Sequence, residues 1–340
     1  MNENEQEHPW TVDELIAELR ARERAKTARG GTSVRSMPGA APAAVEEPVV
    51  SGVVPRFRKI SDLSAAELAS LVNAQQRAIY GVDDRKDTAD VKDKKAIALA
   101  DASVALVEVA DLTPVAGGGF TLKTTSYKKE FNLCPKEPFA DQPLGCFCSG
   151  VLVAPDVIAT AGHCVRSQAD LAHIAFVFGF RMAGGAAVTQ FGADQVYRGK
   201  EVIDRKLTST ATDWALVRLD RVVTGRTPVS IRTADKIPNG EPLFVIGHPC
   251  GLPQKFAGGA IVRNNQAAAF FVANLDTYGG NSGSPVFSSK THLLEGLLVR
   301  GQTDFVSTGK CNVSLVFPTT GGGGEDVTRA TEWAARIPGK

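Results

Sequence analysis

What most limits the folds open to this chain is a succession of short apolar or alternating runs in its second half, each closed by turn residues. They are Gly150–Ala154, Val157–Ala161, Ile174–Phe180, Val188–Phe191, Trp214–Leu219, Leu243–Gly247, Ala260–Arg263, Phe270–Leu275, Ser284–Phe287 and Leu293–Val299. Runs of four to seven residues are strand-sized, and no helical periodicity separates them, so the pattern predicts an all-β barrel or sandwich. At 340 residues the chain is long enough for a sizeable core. Its net charge of +1 argues against a broad nucleic-acid-binding or anionic-membrane surface. No run reaches membrane-spanning length; the longest, Ala96–Ala110, is interrupted by Asp101 and Glu108.

The leading residues read differently. Thr11–Ala25 is predicted to be a helix, with Thr11 and Glu14 as a capping box and Leu15, Ile16 and Leu19 as its apolar stripe. Ala28–Pro55, rich in Gly, Pro, Ala and Ser, reads as a flexible linker. A second helix is expected over Ser61–Ala78, capped by Ser64 and Glu67 and buried through Leu63, Leu68, Leu71 and Val72. Residues 1–78 therefore read as a partly helical extension: a pro-segment, a docking module for a protein partner, or a solvated appendage. The compact domain is taken as 79–340. Strands are expected at Lys95–Val107 and Gly119–Tyr127, and a C-terminal helix over Glu325–Ala335 after the flexible Gly321–Gly324.

All six cysteines follow residue 130, which suggests a disulfide framework within one domain and favours an oxidising, extracellular compartment. The acidic, polar N-terminus shows no secretory leader, so the chain as written defaults to the cytoplasm, and the two observations pull apart. Cys148 and Cys164 lie sixteen residues apart around a histidine. A bridge between them would pin the loop carrying His163 and contribute about 3 kcal/mol by chain entropy. Cys134, Cys146, Cys250 and Cys311 then allow three pairings, of which Cys250–Cys311 with Cys134–Cys146 is the one expected.

Three blocks carry chemistry. Asp276-Thr-Tyr-Gly-Gly-Asn-Ser-Gly-Ser-Pro-Val-Phe287 sets Ser282 in a glycine-rich turn able to present a hydroxyl and backbone N–H groups, although Gly-Asn-Ser-Gly-Ser-Pro alone also fits an ordinary strand-joining loop. Ala161-Gly-His-Cys164 offers an imidazole, and Thr212-Asp-Trp-Ala-Leu-Val-Arg-Leu219 puts a carboxylate at the head of a buried strand. A serine hydroxyl needs an adjacent base to attack, and an imidazole held by a carboxylate is such a base. His163, Asp213 and Ser282 supply these roles. The other histidines, 8, 173, 248 and 292, sit in polar, strand-flanking or turn contexts that suit structural roles. No metal-type Cys/His spacing stands apart from His163-Cys164, and no cofactor or metal is expected.

The three blocks, in this order, resemble the signatures of chymotrypsin-fold (trypsin-like) serine proteases. The Asn281 form resembles the bacterial branch that includes the glutamyl endopeptidases, and Ile79-Tyr-Gly-Val-Asp-Asp-Arg85 is similar to the start of the mature chain there. The resemblance spans about Ile79–Ile337. It implies two six-stranded antiparallel β-barrels with a cleft between them and a protein or peptide substrate. It also implies Ser282 as nucleophile, His163 as general base and acid, Asp213 as orienting carboxylate, and the N–H groups of Gly280 and Ser282 as oxyanion hole. Asp276, Thr277 and Gly301 take the substrate-binding positions.

Two departures matter. Asn281 replaces the aspartate that, in the digestive branch, pairs with an ammonium freed by zymogen cleavage, so that ion pair cannot form; Gln76-Arg77-Ala78-Ile79 still offers a processing site. Asp276 stands where trypsin-like enzymes carry the base of a pocket for Arg or Lys. The histidine that accompanies glutamate preference is replaced by Leu298. The expectation is cleavage after Arg or Lys, with Asp276 as a purely structural acceptor the alternative; Arg300 faces either the substrate or solvent. A silent trypsin-fold binding protein, and an intracellular protease whose N-terminal helices recruit a partner, are the competing readings.

Overall fold

A computed structural model describes residues 79–208, 212–300 and 305–339, with the Arg300 side chain outside the description. The chain divides into two units, Met1–Gln75 and Gln76–Lys340. The helices expected at Thr11–Ala25 and Ser61–Ala78 lie outside the described residues, as does the linker between them.

In chain order the elements that build the second unit are these. A strap opens it with β1 (Ile79–Tyr80) and β2 (Arg85–Asp87), followed by helix α1 (Lys94–Ala102). Next come β3 (Ser103–Glu108), β4 (Cys148–Ala154), β5 (Val157–Thr160), β6 (Ile174–Phe178), β7 (Val196–Leu207) and β8 (Asp213–Leu219). The last group is β9 (Pro242–Gly247), β10 (Lys255–Asn264), β11 (Phe270–Ala273), β12 (Pro285–Ser288), β13 (Leu294–Arg300) and β14 (Glu325–Arg329).

The first barrel closes in the order β6-β7-β8-β5-β4-β3, sealed by β3 against β6 with Leu106 opposite Phe176. The second runs β9-β12-β13-β14-β11-β10 and is sealed by β9 against β10; β2 adds to its outside by pairing Arg85 with Ala257. Two antiparallel six-stranded barrels are thus present, as the resemblance implied.

Several strands read as unbroken apolar runs because both of their faces are covered. Along β3, Val104 and Leu106 join the main core while Ala105 and Val107 join a second cluster with Leu122, Phe180 and Phe191. The same split recurs on β6, with Phe176 and Phe178 on one side and Ala175 and Val177 on the other. Ile246, Phe287 and Leu297 of the second barrel belong to the same apolar cluster as Val151, Ile158 and Leu216 of the first. The barrels therefore share an apolar interface, whose burial favours their association at about 25 cal/mol per Å². Among the described residues no helix is long and apolar enough to cross a membrane.

Three expectations are corrected. Lys95–Val107 is a helix followed by a strand. Asp93 caps α1 by accepting from Lys95 N at 2.8 Å, and Ala96 and Ala100 form its buried face, so capping and alanine content outweigh the apolar run. Gly119–Tyr127 is two strands, Gly119–Leu122 and Thr125–Ser126, rather than one, and Tyr127 opens a short helical turn, Tyr127–Glu130, capped by Ser126. The C-terminal helix is present but shorter than expected: Glu325–Arg329 is strand, because Val327 pairs with both Leu298 and Phe271, and the helical part is the two 3-10 turns Ala330–Glu332 and Ala334–Arg336.

The disulfides are Cys148–Cys164, as expected, and Cys134–Cys311. The pairs Cys250–Cys311 and Cys134–Cys146 do not form. Cys134 N donates to Asn312 O at 2.9 Å and Asn312 N to Asn132 O at 2.8 Å, which aligns the two segments and brings the Cα atoms of Cys134 and Cys311 to 5.0 Å. Cys146 and Cys250 line a different cleft, in neighbouring segments joined by Gly145 N to Gly251 O at 2.9 Å.

Candidate active site

Strand register brings the first two residues of the site together. β5 and β8 run antiparallel with Thr160 opposite Ala215, so the turn that leaves β5 carries His163 back alongside Asp213 at the head of β8. Asp213 is buried. Its Oδ1 accepts the His163 backbone N–H at 3.1 Å, and its Oδ2 lies 2.7 Å from Nδ1. An ionised carboxylate can only accept, so Nδ1 carries the ring proton and Nε2 is left as an acceptor. The Cys148–Cys164 bridge ties the residue after His163 back to β4, and Arg205 Nε donates to Gly162 O at 2.7 Å from the other side.

The second barrel supplies the hydroxyl. Ser282 Oγ stands 2.7 Å from His163 Nε2. It sits in the loop between β11 and β12, where Gly280 has φ +77° and Gly283 φ +82°. A side chain at either position would collide with backbone. A Cβ on Gly280 would lie 2.6 Å from His248 O, and one on Gly283 would lie 2.2 Å from Ser149 O. Asn281 is buried and accepts from Ser284 Oγ at 3.1 Å; Gly283 N donates to Leu298 O at 2.8 Å, fastening the loop to β13.

Ser149, which sequence reasoning missed, spans the two barrels beside this hydroxyl. Its N–H donates to Ser282 O at 2.8 Å, and its Oγ donates to Gly280 O at 3.0 Å while accepting the His248 N–H at 3.0 Å. Nothing in Cys-Ser-Gly marks it in the sequence, because its partners lie about a hundred residues or more away.

The substrate-pocket positions come out differently. Asp276 is buried, and both of its oxygens are taken by backbone N–H groups of the strap: Tyr80 on Oδ1 at 2.7 Å and Asp84 on Oδ2 at 2.8 Å. This is the structural role the sequence left open beside substrate contact. Burial pushes the carboxyl up to about 6, against the two amides and helped by the charges of Asp83 and Asp84. Thr277 Oγ1 donates to the buried Glu325 at 2.8 Å. Leu298 is wholly buried in the second barrel's core. Gly301 lies outside the described residues.

Among the remaining histidines, His248 is buried, holds Leu252 O through Nδ1 at 3.0 Å, stacks on Phe180 and is pushed down to about 4 by burial. Cys148, His163 and Cys164 cluster closely enough to suggest a metal site, but the two sulfurs are bonded to each other, which leaves no thiolate to coordinate one.

Residues 148–295 match the family model described as a trypsin-like peptidase domain. Over that stretch the chain is similar to trypsin-like peptidases. The matched stretch begins at the Cys148 end of β4 and includes His163, Asp213 and Ser282. Two solved structures are similar. One is a Glu endopeptidase in complex with MPD, 18% identical, covering 76% of this chain and 97% of that one, at a TM-score of 0.45. The other is the Vibrio cholerae VesB protease, 15% identical, covering 76% of this chain and 66% of that one, also at 0.45. No curated protein sequence matches the chain. A trypsin-like peptidase domain implies a protein or peptide substrate.

Proposed function

We propose that the trypsin-like domain is a serine endopeptidase that works through an acyl-enzyme. The observation that carries this reading is the single imidazole of His163 lying 2.7 Å from Ser282 Oγ on one side and 2.7 Å from Asp213 on the other. Ser282 Oγ attacks the scissile carbonyl carbon while Nε2 takes its proton; Asp213 stabilises the resulting imidazolium. The oxyanion is met by the N–H groups of Gly280 and Ser282. The tetrahedral adduct then collapses as Nε2 returns the proton to the leaving amine. Water deacylates the enzyme by the same steps in reverse.

Ser282→Ala should lower turnover by roughly a millionfold and abolish labelling by a fluorophosphonate probe. An unchanged rate in that variant would dispose of the acyl-enzyme, and an unlabelled wild type would favour a silent binding protein of the same fold.

Preference for Arg or Lys loses its main support, because the Asp276 carboxylate is already occupied by the strap. Residues 1–78 are proposed as a pro-segment or docking module preceding the peptidase domain at 79–340, and the N-terminal sequence of the mature protein distinguishes the two.

A further inference from the structure

Asp276, Thr277 and Tyr278 are consecutive, and each is held from outside its own loop. Asp276 takes the N–H groups of Tyr80 and Asp84, Thr277 is bonded to Glu325, and the Tyr278 ring lies under the guanidinium of Arg85 at 4.1 Å. Arg85 is in turn fixed by Asp83, with Nε to Oδ1 at 2.8 Å and an Nη to Oδ2 at 2.7 Å, and it is buried. Two of the three anchors therefore come from one short stretch, residues 80–85. That stretch is itself pinned at both ends: Ile79–Tyr80 pairs in parallel with Val316–Phe317, and Arg85–Asp87 pairs with β10. Lys255 Nζ reaches Asp87 at 2.5 Å and Gln142 Oε1 at 2.7 Å, closing the far end.

The residues immediately after these anchors are Gly279, Gly280, Asn281 and Ser282. No regular element lies between Ala273, the end of β11, and Pro285, the start of β12. That span, with the positive φ of Gly280, is held on its trailing side by Ser149 and Leu298 and on its leading side by these anchors.

We propose that Asp276 is a positioning residue which, with Arg85, locks the strap 79–87 to the nucleophile loop and so sets the geometry of the Gly280 and Ser282 N–H groups. This rests on the serine endopeptidase reading for its catalytic consequence, but the lock itself does not. A carboxylate suits the task because it offers two acceptors to two N–H donors. Asparagine offers one, and its NH2 would face the second donor. Asp276 therefore acts on every substrate alike, whatever residue precedes the scissile bond, rather than reading a cationic side chain.

The test compares wild type, Asp276→Asn and Arg85→Met, the second keeping the Asp276 bonds while removing the cation from Tyr278. Hydrogen exchange is followed in each on a Ser282→Ala background, and the Ser282 forms are assayed on peptides with Arg, Lys, Phe, Leu or Glu before the cleaved bond. In Asp276→Asn, faster exchange at Tyr80, Asp84 and residues 279–284 is expected. With it should come a fall in kcat of about a hundredfold, equal across whichever peptides the wild type cuts, with KM changed by no more than about threefold. Arg85→Met should speed exchange at residues 279–284, leave Tyr80 and Asp84 protected, and lower kcat less. Unchanged exchange in both variants overturns the lock. A loss confined to Arg and Lys peptides overturns the positioning role in favour of substrate contact. If the wild type cuts none of the peptides and resists the fluorophosphonate, the endopeptidase reading has failed, and the exchange data still decide the lock.

Discussion

Asp213 holds His163 at two points, through the backbone N–H at 3.1 Å and through Nδ1 at 2.7 Å, so both the position of the loop and the tautomer of the ring depend on one carboxylate. Asp213→Asn keeps the shape but offers an NH2 to the ring nitrogen, which drives the proton to Nε2 and removes the base. We expect kcat to fall by about ten-thousandfold with little change in melting temperature, measured by peptide hydrolysis and thermal unfolding.

Gly283 combines a positive φ with a space that no side chain can enter, since a Cβ would lie 2.2 Å from Ser149 O and 2.4 Å from Thr160 Oγ1. Gly283→Ala should push the nucleophile loop away from β4. A stability loss of about 2 kcal/mol or more in urea unfolding is expected, together with loss of fluorophosphonate labelling.

The two disulfides should separate in their effects. Cys134–Cys311 spans 177 residues and Cys148–Cys164 spans 16, so chain entropy assigns the first about 5 kcal/mol and the second about 3 kcal/mol. Replacing the longer bridge by serines should cost more stability. Replacing the shorter should cost more activity, because it frees the residue beside His163. Urea midpoints and kcat for the two double variants check this.

Asp276 also gives the stability profile a recognisable slope. Its folded carboxyl lies at about 6, above the ordinary 3.8, so folding favours the protonated form. The stability this confers is full below about pH 4 and is lost as pH rises through about 6. The shift corresponds to about 3 kcal/mol at most. The charges that face the group are Asp83 and Asp84 on the strap, opposed by the amides of Tyr80 and Asp84. Relative to Asp276→Asn on the Ser282→Ala background, the Asp276 form should lose stability between pH 4 and 6.5 in urea titrations. Parallel profiles would contradict the shift.

The candidate site was legible where its groups sit in short blocks: Ala-Gly-His-Cys and Asp-Trp-Ala-Leu each point to a candidate group within a few residues. What the sequence hid was long-range pairing. Asp276 looks like a substrate carboxylate until Tyr80 and Asp84, nearly two hundred residues away, are seen on its oxygens. Cys134 finds Cys311 only because a hydrogen-bonded alignment of distant segments brings them together. Two of the misread elements, Lys95–Val107 and Glu325–Ala335, join helical turns to strand without a break in apolar character. Periodicity alone could not locate the change; the Asp93 cap and the pairing of Val327 did. The long β7 escaped notice because much of it faces solvent and carries charge.

Ser149 bonds to Ser282 and Gly280 across the seam between barrels, and the imidazole and the hydroxyl come from opposite sides of it. Neither half of the molecule holds a working pair alone. If the endopeptidase reading holds, a chain whose two cylinders have not yet met should be unable to cut, because the imidazole and the hydroxyl reach each other only across the seam.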